Sequence, residues 1–297
     1  MSEGHVKTPA LVTTELGPVE AEVHGSGTPV LVIHGSPGGI DSARMMSRFL
    51  PLDRFRVITL SRPGYLATHL NPVDTSIDHE ADLLAALLDA FDVDRAGVLA
   101  WSGGGPSAYR LAVRHPERVS SLVQVAAVSS RWVAPKLPWS DRFLFGTVPG
   151  RWLVECLVRH LPGQIVGGAL TNEGSLSPEE LTALTAEVMA DPEQREAVLA
   201  VAKTMTWTGR RKAGWNNDVA NYGAITSLHL DQVPCPVLLI HGDADTDASP
   251  DFSYTAHDAL PDSTLVMMDR GTHLAFYAHP DALKVQDQAR LWLSSKR

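Results

Sequence analysis

Short apolar runs alternate along the chain with longer segments in which apolar residues recur every three or four positions. Residues 19–23, 29–33, 55–60, 96–100, 119–125, 236–240 and 264–268 read as strands, because each is a brief apolar stretch bounded by turn-forming residues. Gly25-Ser26-Gly27 reads as a hairpin-type turn between the first two. Residues 78–91 set Leu83, Leu84, Leu87 and Leu88 at helical spacing, with Asp82 and Asp89 between them. Residues 106–115 repeat the pattern through Tyr109, Leu111, Ala112 and Val113 until Pro116 closes the helix, and residues 281–293 form a last amphipathic helix. Strands alternating with helices predict an α/β fold, a mostly parallel central sheet flanked by helices.

Residues 130–228 break this rhythm. They hold Trp132, Trp139, Trp152, Trp207 and Trp215 and helical runs at 179–189 and 192–204, but no convincing strand. This stretch is expected to be a helical cap lying over the strand ends, inserted into a core made of residues 1–129 and 229–297. A separate domain with its own interior is the alternative. No internal repeat or low-complexity segment is present.

Composition narrows the class. A chain of 297 residues with 44% hydrophobic content can bury a sizeable core. The excess of 34 acidic over 25 basic residues, a net charge of −9, argues against nucleic acid or an anionic membrane as a partner. Cys156 and Cys235 stand far apart with no CxxC spacing, so neither a disulfide framework nor a zinc site is indicated. The first residues, Met1 to Lys7, lack the basic start and apolar core of a secretory signal, and no apolar run approaches the roughly 20 residues of a membrane span. A cytoplasmic monomer or homodimer is expected.

The chemistry concentrates where the strand at 96–100 ends. Ala100-Trp101-Ser102-Gly103-Gly104 places a serine among small neighbours, as a sharp strand-to-helix turn requires. It is a near match to the G-x-S-x-G nucleophile elbow, with alanine for the first glycine. A serine hydroxyl is a poor nucleophile at neutral pH and needs a positioned base, which in turn needs an orienting carboxylate. His273, after the strand at 264–268, is the candidate base. Asp245, in His241-Gly242-Asp243-Ala244-Asp245-Thr246-Asp247, is the candidate acid, with Asp243 and Asp247 as loop-capping or structural residues. A metal site built on these three aspartates is disfavoured, because no glycine bend falls among them. Backbone donors for a developing oxyanion are expected from the N–H of Gly103 and of Ser36. The latter lies in His34-Gly35-Ser36-Pro37-Gly38-Gly39, which in isolation is an ordinary Gly/Pro turn.

With these residues in place, the chain resembles the α/β-hydrolase superfamily, in the branch with an HG-x-PG oxyanion loop that includes proline iminopeptidases, carboxylesterases and lactonases. The resemblance covers roughly residues 15–128 and 230–295. It implies Ser102 as nucleophile, Asp245 as acid, His273 as base, and the Ser36 and Gly103 amides as the oxyanion hole. Arg62-Pro63-Gly64-Tyr65 is similar to the family's D-x-x-G-x-G loop, with Ser61 where an aspartate is common. Serine at the elbow disfavours the aspartyl-ester chemistry of haloalkane dehalogenases and epoxide hydrolases.

The implied activity is a serine hydrolase acting on carboxylic esters or lactones through an acyl-enzyme, with no metal or organic cofactor and a small-molecule ester, lactone or amide as substrate. Its pocket is expected to be apolar, built from cap tryptophans and leucines. An aminopeptidase of the proline-iminopeptidase kind is the alternative. It would use cap carboxylates such as Glu155, Glu173, Glu179 or Glu180 to hold a substrate ammonium. Perhydrolysis and carbon–carbon bond hydrolysis by the same triad stay open. A small-molecule receptor on the same fold is the reading from another class.

Overall fold

The computed structural model describes residues 9–136 and 139–294. Eight strands form one sheet: β1 (Ala10–Thr14), β2 (Gly17–Gly25), β3 (Thr28–Ile33), β4 (Phe55–Leu60), β5 (Ala96–Trp101), β6 (Val119–Val125), β7 (Val237–Gly242) and β8 (Ser263–Met268). Their order is β1-β2-β4-β3-β5-β6-β7-β8. β1 and β2 pair antiparallel, as do β2 and β4, and every other neighbouring pair is parallel.

One local expectation fails here. Gly25-Ser26-Gly27 joins β2 to β3, yet these strands are not hairpin partners, because β4 lies between them. The turn packs instead on the segment leading into β4: Ser26 N–H donates to the Leu52 carbonyl at 2.9 Å and Thr28 N–H to that of Arg54 at 3.0 Å.

The central strands are buried on both faces, so they read as continuous apolar runs, and their side chains divide by parity. Leu31, Ile33, Val98 and Ala100 point into a core shared with α2 (Ile77–Ala90) and α3 (Gly105–Arg114). Val30, Val32, Leu99 and Trp101 point into the opposite core, with α1 (Ile40–Met46) and α11 (Ala282–Ser294). Between β6 and β7 the chain runs through α4 (Trp139–Leu144), α5 (Val148–His160), α6 (Pro162–Asn172), α7 (Pro178–Ala190), α8 (Pro192–Thr204) and α9 (Lys212–Gly223). Val166, Leu170, Val188 and Val198 of these helices belong to the same apolar cluster as Val30 and Leu99 of the sheet. The inserted helices therefore share the sheet's interior. α10 (Asp251–Ala259) packs beside β7 and β8. No helix among the described residues is long and apolar enough to cross a membrane.

Parallel pairing brings the C-terminal ends of β3, β5, β7 and β8 to one edge, and the direction of winding reverses between β3 and β5. A crevice opens outside the strand ends at such a point. Close approach of the β7 and β8 loops depends on Gly242. A Cβ there would overlap the Gly271 carbonyl and lie 2.6 Å from the Thr272 oxygen. Because the colliding atoms are backbone, Gly242→Ala is expected to lower stability by about 1–3 kcal/mol in denaturant unfolding. Unchanged stability would show that these loops have slack.

Candidate active site

Ser102 follows β5 directly. Its φ of 52° lies in the left-handed region, which a non-glycine residue adopts only when its surroundings hold it there. The extended Trp101 precedes it, and a short 3-10 turn over Ser102–Gly104 leads into α3. The sharp reversal lifts the side chain out at the strand edge. The loop after β3 comes against this turn. A Cβ placed on Gly35 would stand 3.1 Å from Ser102 Cβ and 3.7 Å from its Oγ, and one on Gly103 would stand 3.2 Å from the Ser36 nitrogen. Ser36, Ser102 and Gly103 line one small cavity, of about 30 Å³, together with Val128, Trp132, Trp215, Asp218, Tyr222, Asp247 and Ala248. Larger clefts of about 250 and 310 Å³ lie elsewhere on the surface, but neither is lined by Ser102 or His273.

The loops after β7 and β8 bring Asp245 and His273 together. His273 Nδ1 donates to Asp245 Oδ2 at 2.7 Å. The same oxygen accepts from His241 Nε2 at 3.0 Å, while Oδ1 accepts the backbone N–H of Asp247 at 2.9 Å and of Ala248 at 3.0 Å. Burial alone would raise the Asp245 pKa. The positive charge of His273 and the hydrogen bonds from both imidazoles outweigh it and hold the carboxyl at about 2. The His273 ring stacks on Trp101, the residue before Ser102, with centroids 5.3 Å apart.

Asp247 also stands close to the His273 ring. Its Oδ2 is 3.5 Å from His273 Nε2, and its side chain keeps 39% of its surface exposed. Glu173, just after α6, completes an acidic ring. Its carbonyl accepts the His273 N–H at 2.9 Å, and its neighbour Gly174 forms an isolated antiparallel bridge with Asp245. The Glu173 side chain is buried and Oε2 has no hydrogen-bond partner. Burial, with the nearby Asp247 charge, pushes this carboxyl up to about 8. Of the four glutamates singled out by the sequence, only Glu173 reaches this position. Glu155 pairs with Arg151 and Glu180 with Arg270, and Glu179 is exposed on α7. Glu173, Asp247 and His273 offer atoms within 4.8 Å of one another. They could hold a cation only by taking up imidazole and carboxylate atoms of the candidate catalytic cluster.

The same charges act on His273. Burial would lower its pKa, but Asp245, then Asp247 and Glu173, raise it to about 10. A raised imidazole pKa keeps the ring protonated, and so unable to accept a proton, until the pH climbs through the alkaline range. A reaction that uses His273 as base should therefore accelerate with rising pH. Asp247→Asn removes one anion and lowers that pKa, so the acid limb of the kcat/KM profile is expected at lower pH than in the wild type. A limb that does not move would separate Asp247 from the base.

Two further features were not legible in sequence. His34 is fully buried. Its Nε2 accepts the Arg62 N–H at 3.0 Å and its Nδ1 donates to the Gly35 carbonyl at 2.7 Å, a neutral staple between two loops. Burial first, and then the charge of Arg62, holds its pKa well below the ordinary value. Ser61, standing where an aspartate is common in the family loop, donates to Glu20 Oε2 at 2.6 Å and accepts the Ile40 N–H at 2.9 Å. Of the five tryptophans between 130 and 228, Trp132 and Trp215 line the cavity and Trp207 stacks on Trp215, whereas Trp139 is 82% exposed.

Fold and site define the class, and comparison with known proteins agrees. The family described as "alpha/beta hydrolase fold" matches residues 28–280. The chain belongs to the α/β-hydrolase family and is a hydrolase of that class. It is similar to a solved α/β hydrolase fold protein from Nakamurella multipartita, with 43% identity, a TM-score of 0.94, and coverage of 97% of this chain and 99% of that one. An uncharacterized hydrolase of Bacillus subtilis (strain 168) is 25% identical over 89% of this chain and 90% of its own length. A pimeloyl-(acyl-carrier protein) methyl ester esterase of Nitrosomonas europaea is 26% identical over 89% of this chain and 95% of its own.

Proposed function

We propose that this chain is a serine hydrolase that cleaves carboxylic esters or lactones, with Ser102 as nucleophile, His273 as base and Asp245 as the orienting acid. It is supported by an elbow serine in the left-handed conformation after β5 and a His273–Asp245 couple on the loops after β7 and β8, at the same sheet edge, with the His273 ring stacked on the residue before the serine. His273 takes the Ser102 proton as the oxygen attacks the carbonyl. The N–H groups of Ser36 and Gly103 stabilise the tetrahedral oxyanion. The alcohol leaves with the proton from His273, and water activated by the same ring releases the acid. Residues 130–228 serve as a cap over this site, on a core of residues 1–129 and 229–297. A cavity of about 30 Å³ admits little more than a water molecule, so substrate entry requires the walls at Trp132 and Trp215 to move aside. Ester chemistry is supported by the similarity to an esterase of Nitrosomonas europaea.

A second reading has its own observation. Glu173, buried and unpartnered, and Asp247 stand beside His273, and two carboxyl groups there suit a substrate ammonium. That arrangement favours an aminopeptidase acting on substrates with a free amine near the scissile carbonyl. A panel of p-nitrophenyl esters, lactones and prolyl p-nitroanilides separates the two. Turnover of neutral esters insensitive to Glu173→Gln supports the esterase. Turnover confined to amine-bearing amides, and lost in Glu173→Gln, supports the peptidase.

A further inference from the structure

The amides assigned to the oxyanion hole belong to two loops, one after β3 and one after β5, and a third element grips both. α9 presents Asp218 and Tyr222 four residues apart, on one helical face. Ser36 Oγ donates to Asp218 Oδ2. Tyr222 donates its hydroxyl proton to the Gly103 carbonyl. Arg62, 1% exposed, lies between them. Its Nη1 donates to Ser36 Oγ at 3.1 Å and to Asp218 Oδ2 at 3.0 Å, and its Nη2 to Asp218 Oδ1 at 2.9 Å and to Tyr222 Oη at 2.8 Å. Glu80 holds the guanidinium from the other side, at 2.7 Å from Nε, and Tyr65 donates to Asp218 at 2.6 Å.

This network lies outside the proposed triad. A buried guanidinium with two carboxylates and two phenols is costly to desolvate, and replacing such a group by apolar residues is often neutral or stabilising. Its geometry bears on function because of where its ends fall. The Ser36 side chain and the Gly103 carbonyl are polar handles on the two residues that carry the donor amides. Oxyanion donors act only when held within about 2.7–3.1 Å of the developing charge, so whatever fixes those handles fixes the hole.

We propose that Asp218 and Tyr222 of α9, through Arg62, are positioning residues that set the two oxyanion-hole amides in register, so that the hole is complete only while this inserted helix is seated. The inference rests on the reading of Ser36 and Gly103 as oxyanion donors. None of Asp218, Tyr222 or Arg62 transfers a proton in the reaction.

Ser36→Ala keeps the backbone N–H and removes only the hydroxyl, and Tyr222→Phe keeps the ring and removes only the bond to Gly103. Both are milder than Asp218→Asn, which disturbs a buried ion pair. Each is expected to lower kcat for a p-nitrophenyl ester about 10-fold, part of the loss typical of a missing donor, with KM within about two-fold. Fluorophosphonate labelling of Ser102 should slow in parallel. Asp218→Asn, if it folds, should show the same split. A role in stability alone would lower the melting temperature and leave kcat of the folded enzyme unchanged, and that result overturns the proposal. Wild-type protein that neither labels at Ser102 nor turns over any ester overturns the hydrolase reading itself, and this role with it. Wild-type activity matched by both mild variants removes the positioning role alone.

Discussion

Ser102→Ala is expected to abolish ester hydrolysis, with kcat falling by about 10⁴-fold or more while the fold persists. The loss follows from the division of labour at the sheet edge. Without Oγ no acyl-enzyme forms, and the remaining imidazole and amides can only polarise a carbonyl and activate water. Triads elsewhere retain about 10³–10⁴-fold catalysis over water when one member is removed, so a trace of activity is anticipated. Alanine tolerates the φ of 52° no worse than serine does, because the strain resides in the backbone and the Cβ. Thermal unfolding of the variant should therefore match the wild type. Residual activity within ten-fold of wild type would move the nucleophile elsewhere.

Asp245→Asn is expected to cost about 10³–10⁴-fold in kcat, for a different reason. Asp245 accepts four hydrogen bonds, two from backbone N–H groups on Oδ1 and two from imidazoles on Oδ2. Asparagine can keep its oxygen toward the backbone pair, so the loop survives. Its amide nitrogen then faces His273 Nδ1 and donates to it, which drives the ring proton to Nε2. A ring with Nε2 protonated cannot accept the serine proton. The same change removes the main anion that raises the His273 pKa, so the residual activity should lose the alkaline drift of the wild type. Full activity in this variant, with its profile unmoved, would exclude Asp245 as the orienting acid.

Sequence patterning located the strands that carry the site because buried parallel strands are written as dense apolar runs. Val119–Val125 is recovered to the residue, and the runs ending near Ala100, Ile240 and Met268 locate the loops that follow them. β1 escaped because a five-residue edge strand with mostly exposed side chains carries too little alternation. α1 escaped for a related reason: seven residues give fewer than two helical turns. The hairpin reading of Gly25-Ser26-Gly27 failed because a turn specifies a reversal, whereas strand order depends on which segment arrives between the strands.

At the site, motif and chain order singled out Ser102, Asp245, His273, Ser36 and Gly103, which follow β3, β5, β7 and β8 at one edge of the sheet. Asp218 and Tyr222 could not be found this way. Asp218 meets an arginine 156 positions away, and nothing in a helix with little amphipathic contrast marks that face. Glu173 stood among four equivalent glutamates until folding buried one of them. Asp247 looked like loop capping because its neighbour Asp245 satisfied the motif. Its nearness to His273 is a property of two loops, which no single segment encodes.

Treating the protein with a fluorophosphonate and locating the adduct by peptide mass spectrometry tests whether Ser102 is a nucleophile activated by His273. Rapid modification confined to Ser102, and slowed by orders of magnitude in His273→Ala, is the predicted result. An adduct on any other residue, or modification of Ser102 at the wild-type rate without His273, would contradict it.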